Sequence, residues 1–132
     1  MNIEKHLERL KESLEVIEEA IAKDIVKRQR NIGFNTSAAA VDMLEIFLHQ
    51  KKLIESGFLL KHEWFKAKNK LQEKLPFDFI NKQAILELMY FIESNRDPLC
   101  YGVPKDENVV REVLLKFDKL KRALIEMGVK LE

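Results

Sequence analysis

The chain has 132 residues, which fits one domain and is long enough to bury a core without disulfides or metal staples. Hydrophobic residues make up 46% and charged residues 34%, a balance that suits an α-rich globular chain and not a disordered one. With 23 basic and 22 acidic residues the formal net charge is +1, which excludes a strong nonspecific nucleic-acid binder but leaves room for a local basic patch.

A single cysteine, Cys100, excludes an internal disulfide and a thiolate zinc cage. It points to a reducing, cytoplasmic setting. The segment Met1-Asn2-Ile3-Glu4-Lys5 is charged and amphipathic, unlike a signal peptide. No apolar run is long enough to span a bilayer, so no membrane partner is expected. Only four glycines and three prolines punctuate the chain, so its elements must be long.

The first predicted helix covers residues 3–30. Ile3, Leu7, Leu10, Leu14, Ile17 and Ile21 step by four and three, a heptad stripe that reads as the core face of a bundle helix or as a dimer seam. Its acidic residues come early, and Lys23, Lys27, Arg28 and Arg30 come late, an order that suits the helix macrodipole. Residues 31–35 form the first break, with Gly33 as terminator and Asn35, Thr36 or Ser37 as the next cap.

The second helix covers residues 37–55. It is apolar nearly all round (Val41, Met43, Leu44, Ile46, Phe47, Leu48, Leu53) and is expected to be central. Ser56-Gly57 ends it. The third covers residues 60–74, with Trp64, Phe65, Leu71 and Leu75 on one side and Lys61, Lys66, Lys68, Lys70 and Lys74 making it the most basic element. Those lysines read as a solvated face, or as a surface tracking phosphates.

Pro76 stops the third helix. Asp78 is the expected cap of the fourth, which runs to residue 95 with Ile80, Ile85, Leu88, Met89, Phe91 and Ile92 as its apolar set. A loop over residues 95–105 follows, broken by Pro98, Gly102 and Pro104. Asp106 caps the fifth helix with Glu107 in its first turn. Val109, Val110, Val113, Leu114, Phe117, Leu120, Leu124 and Ile125 form its core face, and Gly128 closes it. No period-2 run or hairpin signal occurs, so the fold class is all-α: an up-and-down bundle of about five helices in a single domain.

Phosphate-binding loops, dinucleotide glycine patterns and nucleophile elbows are absent. Asp42, Glu45 and His49 share one face of the second helix. They offer ligand types for a metal, but three ligands from one helix diverge and the Glu-x-x-His spacing of di-iron bundles is missing. The face therefore reads as a solvated polar stripe, with no metal or cofactor expected. His6 and His62 have no recurring partners and read as surface or boundary histidines.

The segment Arg96-Asp97-Pro98-Leu99-Cys100-Tyr101-Gly102 is more suggestive. Arginine is a natural fork for phosphate or carboxylate. Proline and glycine would hold it in a fixed non-helical path, and Tyr101 offers a phenol for stacking or hydrogen bonding. The structural alternative is that Arg96 and Asp97 cap helix ends while Leu99 and Tyr101 plug the bundle.

The layout resembles the HEPN family, the "higher eukaryotes and prokaryotes nucleotide-binding" helical domains. Three features carry the resemblance: a long first helix ending in a basic segment, the run Ser37-Ala38-Ala39-Ala40-Val41-Asp42-Met43-Leu44-Glu45, and the segment Asn95-Arg96-Asp97-Pro98-Leu99-Cys100-Tyr101-Gly102 between the last two long helices. The resemblance implies a homodimer with the two Arg96 segments near a shared cleft. Family ribonucleases place a histidine four to six residues after the arginine and cut RNA without metal. Here Arg96 matches, no histidine follows, and Tyr101 stands in its region; a phenol of reference pKa ~10 is a poor general base near neutrality.

The expectation is a non-catalytic HEPN-like module. It would bind a nucleotide, RNA or a partner protein, such as a nucleotidyltransferase that modifies Tyr101, through Arg96, Asp97 and Tyr101 with Arg28 and Arg30. The alternatives are a weak, toxin-like, metal-independent ribonuclease using Arg96 and Tyr101, and a structural dimerisation scaffold.

Overall fold

A computed structural model describes residues 2–131, with the backbone alone for Lys68; Met1 and the Lys68 side chain lie outside the described residues. The described residues form an all-helical bundle of five α-helices: α1 (Ile3–Lys23), α2 (Gln29–Gln50), α3 (Lys68–Lys74), α4 (Lys82–Tyr101) and α5 (Glu107–Glu126). A 3-10 turn (His62–Lys66) precedes α3. As its all-round apolar pattern requires, α2 is the central element, packed on α1, α4 and α5. Met43, Leu44, Ile46, Phe47 and Leu48 are buried along its length.

The first break falls at residues 24–28, earlier than the glycine suggests. Asp24 leaves the helix with extended backbone. Its Oδ1 accepts hydrogen bonds from the backbone N–H groups of Val26 (3.0 Å) and Lys27 (3.1 Å). This side-chain turn outcompetes the helical pattern. Residues 31–35 lie inside α2, and no cap is needed there. Asn35 and Thr36 instead donate to the carbonyls of Asn31 and Ile32 one turn back. Buried Gln29 anchors the start of α2: its Oε1 accepts from the Lys105 N–H at 2.8 Å and its Nε2 donates to the Lys105 carbonyl at 3.1 Å.

The second helix ends at Gln50 and not at residue 55. Lys52 takes left-handed backbone (φ 58°), and the Leu53 N–H closes onto the Leu48 carbonyl at 2.9 Å. That 6→1 bond satisfies a terminal carbonyl without glycine. The single helix expected over residues 60–74 is split at Ala67, which is extended. Residues 62–66 serve two neighbours at once: Trp64 and Phe65 enter the core while His62 and Lys66 reach acidic residues of α4.

Asp78 does not cap α4. Its carboxylate accepts from the adjacent Phe79 N–H, and left-handed Asn81 precedes the first helical residue. Ile80 is consequently 77% exposed and outside the core. The fifth helix follows its sequence signals: the Asp106 Oδ1 accepts from the Val109 N–H, and Gly128 (φ 94°) closes it. Its core face is Val110, Val113, Phe117, Leu120 and Leu124, but Ile125 is exposed. On α1, Leu10 and Ile17 are buried, Leu7 and Leu14 half-buried, and Ile21 exposed, so only part of the heptad stripe faces the core.

Candidate functional site

The segment around Arg96 is helix, not loop. The last turns of α4 run through Arg96, Asp97, Pro98, Leu99, Cys100 and Tyr101, and the helix stops at Gly102. A proline removes one helical donor and normally breaks a helix. Here tertiary packing holds the turn: Leu99 and Cys100 are buried, and the Cys100 thiol lies 3.6 Å from the Arg30 carbonyl of α2. Leu99 joins Ala20, Ile32, Val110 and Val113 in a small second core at this end of the bundle.

Because α2 begins at Gln29, Phe34 is a helical residue facing α4. The Arg96 guanidinium stacks over its ring at 5.2 Å from the centroid. Tyr101 meets the same ring edge-on at 5.7 Å and is itself 67% exposed. Arg96 also reaches the Asp97 carboxylate at 3.4 Å, which Lys66 approaches at the same distance. Asp97 is thus partly neutralised by two cations.

Arg28 and Arg30 do not end α1. They stand at the opening of α2, where no acidic residue occupies the first turn and the macrodipole disfavours cations. Both are exposed, and neither has an acidic partner among the described residues. The backbone of Arg30 lies against Cys100, which brings Arg30 to the Arg96 end of α4. No contact joins Arg28 to Arg96 among the described residues.

One turn before Arg96, buried Glu93 accepts a hydrogen bond from the Ser37 hydroxyl at 2.6 Å and pairs with His62 Nδ1 at 3.0 Å. Burial alone would raise the Glu93 pKa. The hydrogen bonds from His62 and Ser37, with the charges of His62 and Arg96, outweigh burial and hold the carboxyl below its ordinary value. His62 is therefore a boundary residue with specific partners, and its Nδ1 is committed. Burial pushes the Cys100 thiol up, which disfavours a reactive thiolate despite the nearby arginines.

The expected solvated stripe on α2 is overturned. Asp42 and Glu45 are 4% and 1% exposed, and His49 is half-buried. They face α1, which supplies His6, itself 3% exposed and no surface histidine. His6 Nδ1 lies 2.8 Å from the Asp42 carboxylate. His6 Nε2 is in close contact with Glu45 Oε2, an ion pair when the imidazole is protonated. The other oxygen of Glu45 accepts from the Leu60 N–H at 2.5 Å. Burial raises the Asp42 pKa despite the His6 hydrogen bond and lowers that of His49 despite Glu45.

Phe34, His62 and His6 were not legible as site residues. Phe34 sat in a stretch that reads as a break, and His62 meets Glu93 only in the fold. His6 carried one signal: it lies three residues after Ile3 and four before Leu10, hence beside the core stripe. Comparison with known protein families, with curated proteins and with solved structures finds no match. Among the described residues, no helix is long and apolar enough to cross a membrane.

Proposed function

We propose that this protein is a non-catalytic, cytoplasmic helical module of the HEPN-like kind, a homodimer that binds the phosphate and base of a nucleotide or of single-stranded RNA. The binding face is the meeting of α2 and α4 at Arg30, Phe34, Arg96 and Tyr101. The observation that carries this reading is the Arg96 guanidinium stacked on Phe34 beside an exposed tyrosine. A guanidinium held flat on a ring presents its N–H fork edge-on, where phosphate oxygens would replace the long 3.4 Å contact to the exposed Asp97 carboxylate. An exposed aromatic beside it suits base stacking. Arg28 and Arg30 add positive charge at a helix N-terminus, which favours anions. In the dimer, exposed Val103 just past the end of α4 would bring the two faces together and leave Tyr101 open to the base.

The test is fluorescence anisotropy with a labelled single-stranded RNA and a labelled nucleotide, on protein whose mass is measured by light scattering. Arg96→Ala is expected to weaken binding ~10-fold or more, the worth of one charged hydrogen-bonding group. Lys11→Ala, on α1, is expected to bind as wild type. Equal binding by Arg96→Ala and wild type sinks the reading, and a strictly monomeric mass removes the dimer from it.

A second reading is favoured by one observation. His62, whose Nδ1 is held by Glu93 one helical turn from Arg96, supplies an imidazole that the family-like spacing lacks. In a metal-independent ribonuclease, His62 Nε2 and not the Tyr101 phenol would accept the ribose 2′-hydroxyl proton. Cleavage of RNA in chelator that disappears in both His62→Ala and Arg96→Ala would establish it; no cleavage by wild type would exclude it.

A further inference from the structure

The second cluster on α2 lies outside the Arg96 face and is independent of that reading. His6, Glu45 and His49 bring ligand atoms within 4.8 Å of one another. His6 Nε2, Glu45 Oε2 and His49 Nε2 are all buried, and none has a hydrogen-bond partner among the described residues. Buried polar atoms are nearly always satisfied, and leaving one bare costs about 1–3 kcal/mol. Three such atoms at one point, from two helices, need a common explanation.

We propose that His6 Nε2, Glu45 Oε2 and His49 Nε2 form a binding site for a divalent transition-metal ion of zinc's class. The surrounding atoms are arranged for this. Asp42 accepts from His6 Nδ1 at 2.8 Å, which fixes the tautomer and turns the Nε2 lone pair inward. A carboxylate behind a ligating histidine is the usual support of a metal-bound imidazole. Leu60 N–H holds Glu45 Oε1 at 2.5 Å, which leaves Oε2 as the ligating oxygen. Glu45 and His49 are one turn apart on α2, and His6 approaches from α1.

A protonated His6 bridging Asp42 and Glu45 is the competing account. It pairs His6 with Glu45 but leaves His49 Nε2 without a hydrogen-bond partner among the described residues. One cation satisfies all three atoms and offsets the charge of two buried carboxylates. Two imidazoles and one carboxylate suit zinc, iron, cobalt or nickel better than calcium or magnesium, which prefer all-oxygen cages. His6 and Glu45 are 3% and 1% exposed, so the ion would be shielded from substrates and would act by tying α1 to α2.

The experiment uses the tag-free full chain, stripped with chelator and titrated with Co(II) by visible absorption and with Zn(II) by calorimetry. Wild type is expected to take one equivalent of each and to melt at a higher temperature when loaded. His49→Ala removes a half-buried ligand and is checked for native circular dichroism; it is expected to lose stoichiometric binding. Asp42→Asn is expected to weaken binding about 10–100-fold, the effect of losing a supporting carboxylate. Cys100→Ser is expected to bind as wild type. Failure of wild type to take up either metal at micromolar concentration overturns the proposal. So does undiminished binding by folded His49→Ala, or loss of binding in Cys100→Ser.

Discussion

Gly33 and Leu99 bring α2 and α4 into backbone contact. A Cβ at position 33 would lie 2.8 Å from the Leu99 Cβ and 3.0 Å from the Cys100 Sγ. The neighbour is the root of a side chain and cannot swing away, so Gly33 is a contact residue, not a helix terminator. The same approach places the next residue, Phe34, against Arg96.

Gly33→Ala follows from this contact. Alanine improves helix propensity by about 1 kcal/mol. Overpacking a tight contact costs about 1–3 kcal/mol. The expected net effect is a destabilisation of up to about 2 kcal/mol, read as a lower urea midpoint with an unchanged slope. A raised midpoint would show that the two helices separate freely.

Glu93 makes stability depend on pH. Its folded pKa lies below the ordinary value of 4.5, so its ionised form is favoured by folding. That stabilisation is complete above the ordinary carboxylate range and is lost as pH falls through it toward the folded pKa. Urea midpoints of wild type should therefore drop more steeply between about pH 6 and about pH 3 than those of Glu93→Gln. Parallel profiles for the two proteins would refute the linkage.

Lys82 is a cation in the first turn of α4, against the macrodipole. Its ammonium donates to the carbonyls of Leu75 and Phe77 at 2.6 and 2.7 Å, pinning the connection between α3 and α4. Lys82→Met keeps the aliphatic stem and removes both bonds. A loss of about 1–2 kcal/mol is expected, less than two fully buried charged bonds because the residue is only half-buried. Faster limited proteolysis between residues 75 and 81 should accompany it; native-like resistance and stability would count against the clamp.

Phe34→Leu separates the ring from its bulk. The cation–π contribution at a half-exposed site is about 0.5–1 kcal/mol. The variant should therefore bind labelled RNA about 2–5-fold more weakly than wild type, a smaller loss than for Arg96→Ala. A loss as large as that of Arg96→Ala would mean that the ring contacts the ligand itself.

Much of the fold was legible in the sequence. The apolar surround of α2 marked it as central, and Asp106 and Gly128 marked both ends of α5, because capping and left-handed closure are local chemistry. Other boundaries moved when a distant contact outcompeted a local signal. Gly33 and Pro98 look like breakers, but each lies inside a helix held by the other's neighbours. Asp24, which the helical pattern over residues 3–30 passes over, ends α1 through two side-chain bonds.

The candidate sites divide in the same way. Arg96 and Tyr101 were visible as unusual residues between two helices, but their shared ring, Phe34, lies over sixty positions away. Asp42, Glu45 and His49 could be placed on one face of α2 from their spacing alone.

By itself, the sequence determined an all-α chain with a central apolar helix and one arginine-bearing segment near its last connection. Periodicity, caps and charge act over one or two turns, and they suffice for that much. Only the tertiary structure decided that the arginine segment is helical and that His6 faces Glu45 and His49 in the interior. Burial and long-range packing fix those relationships, and they depend on which helices meet.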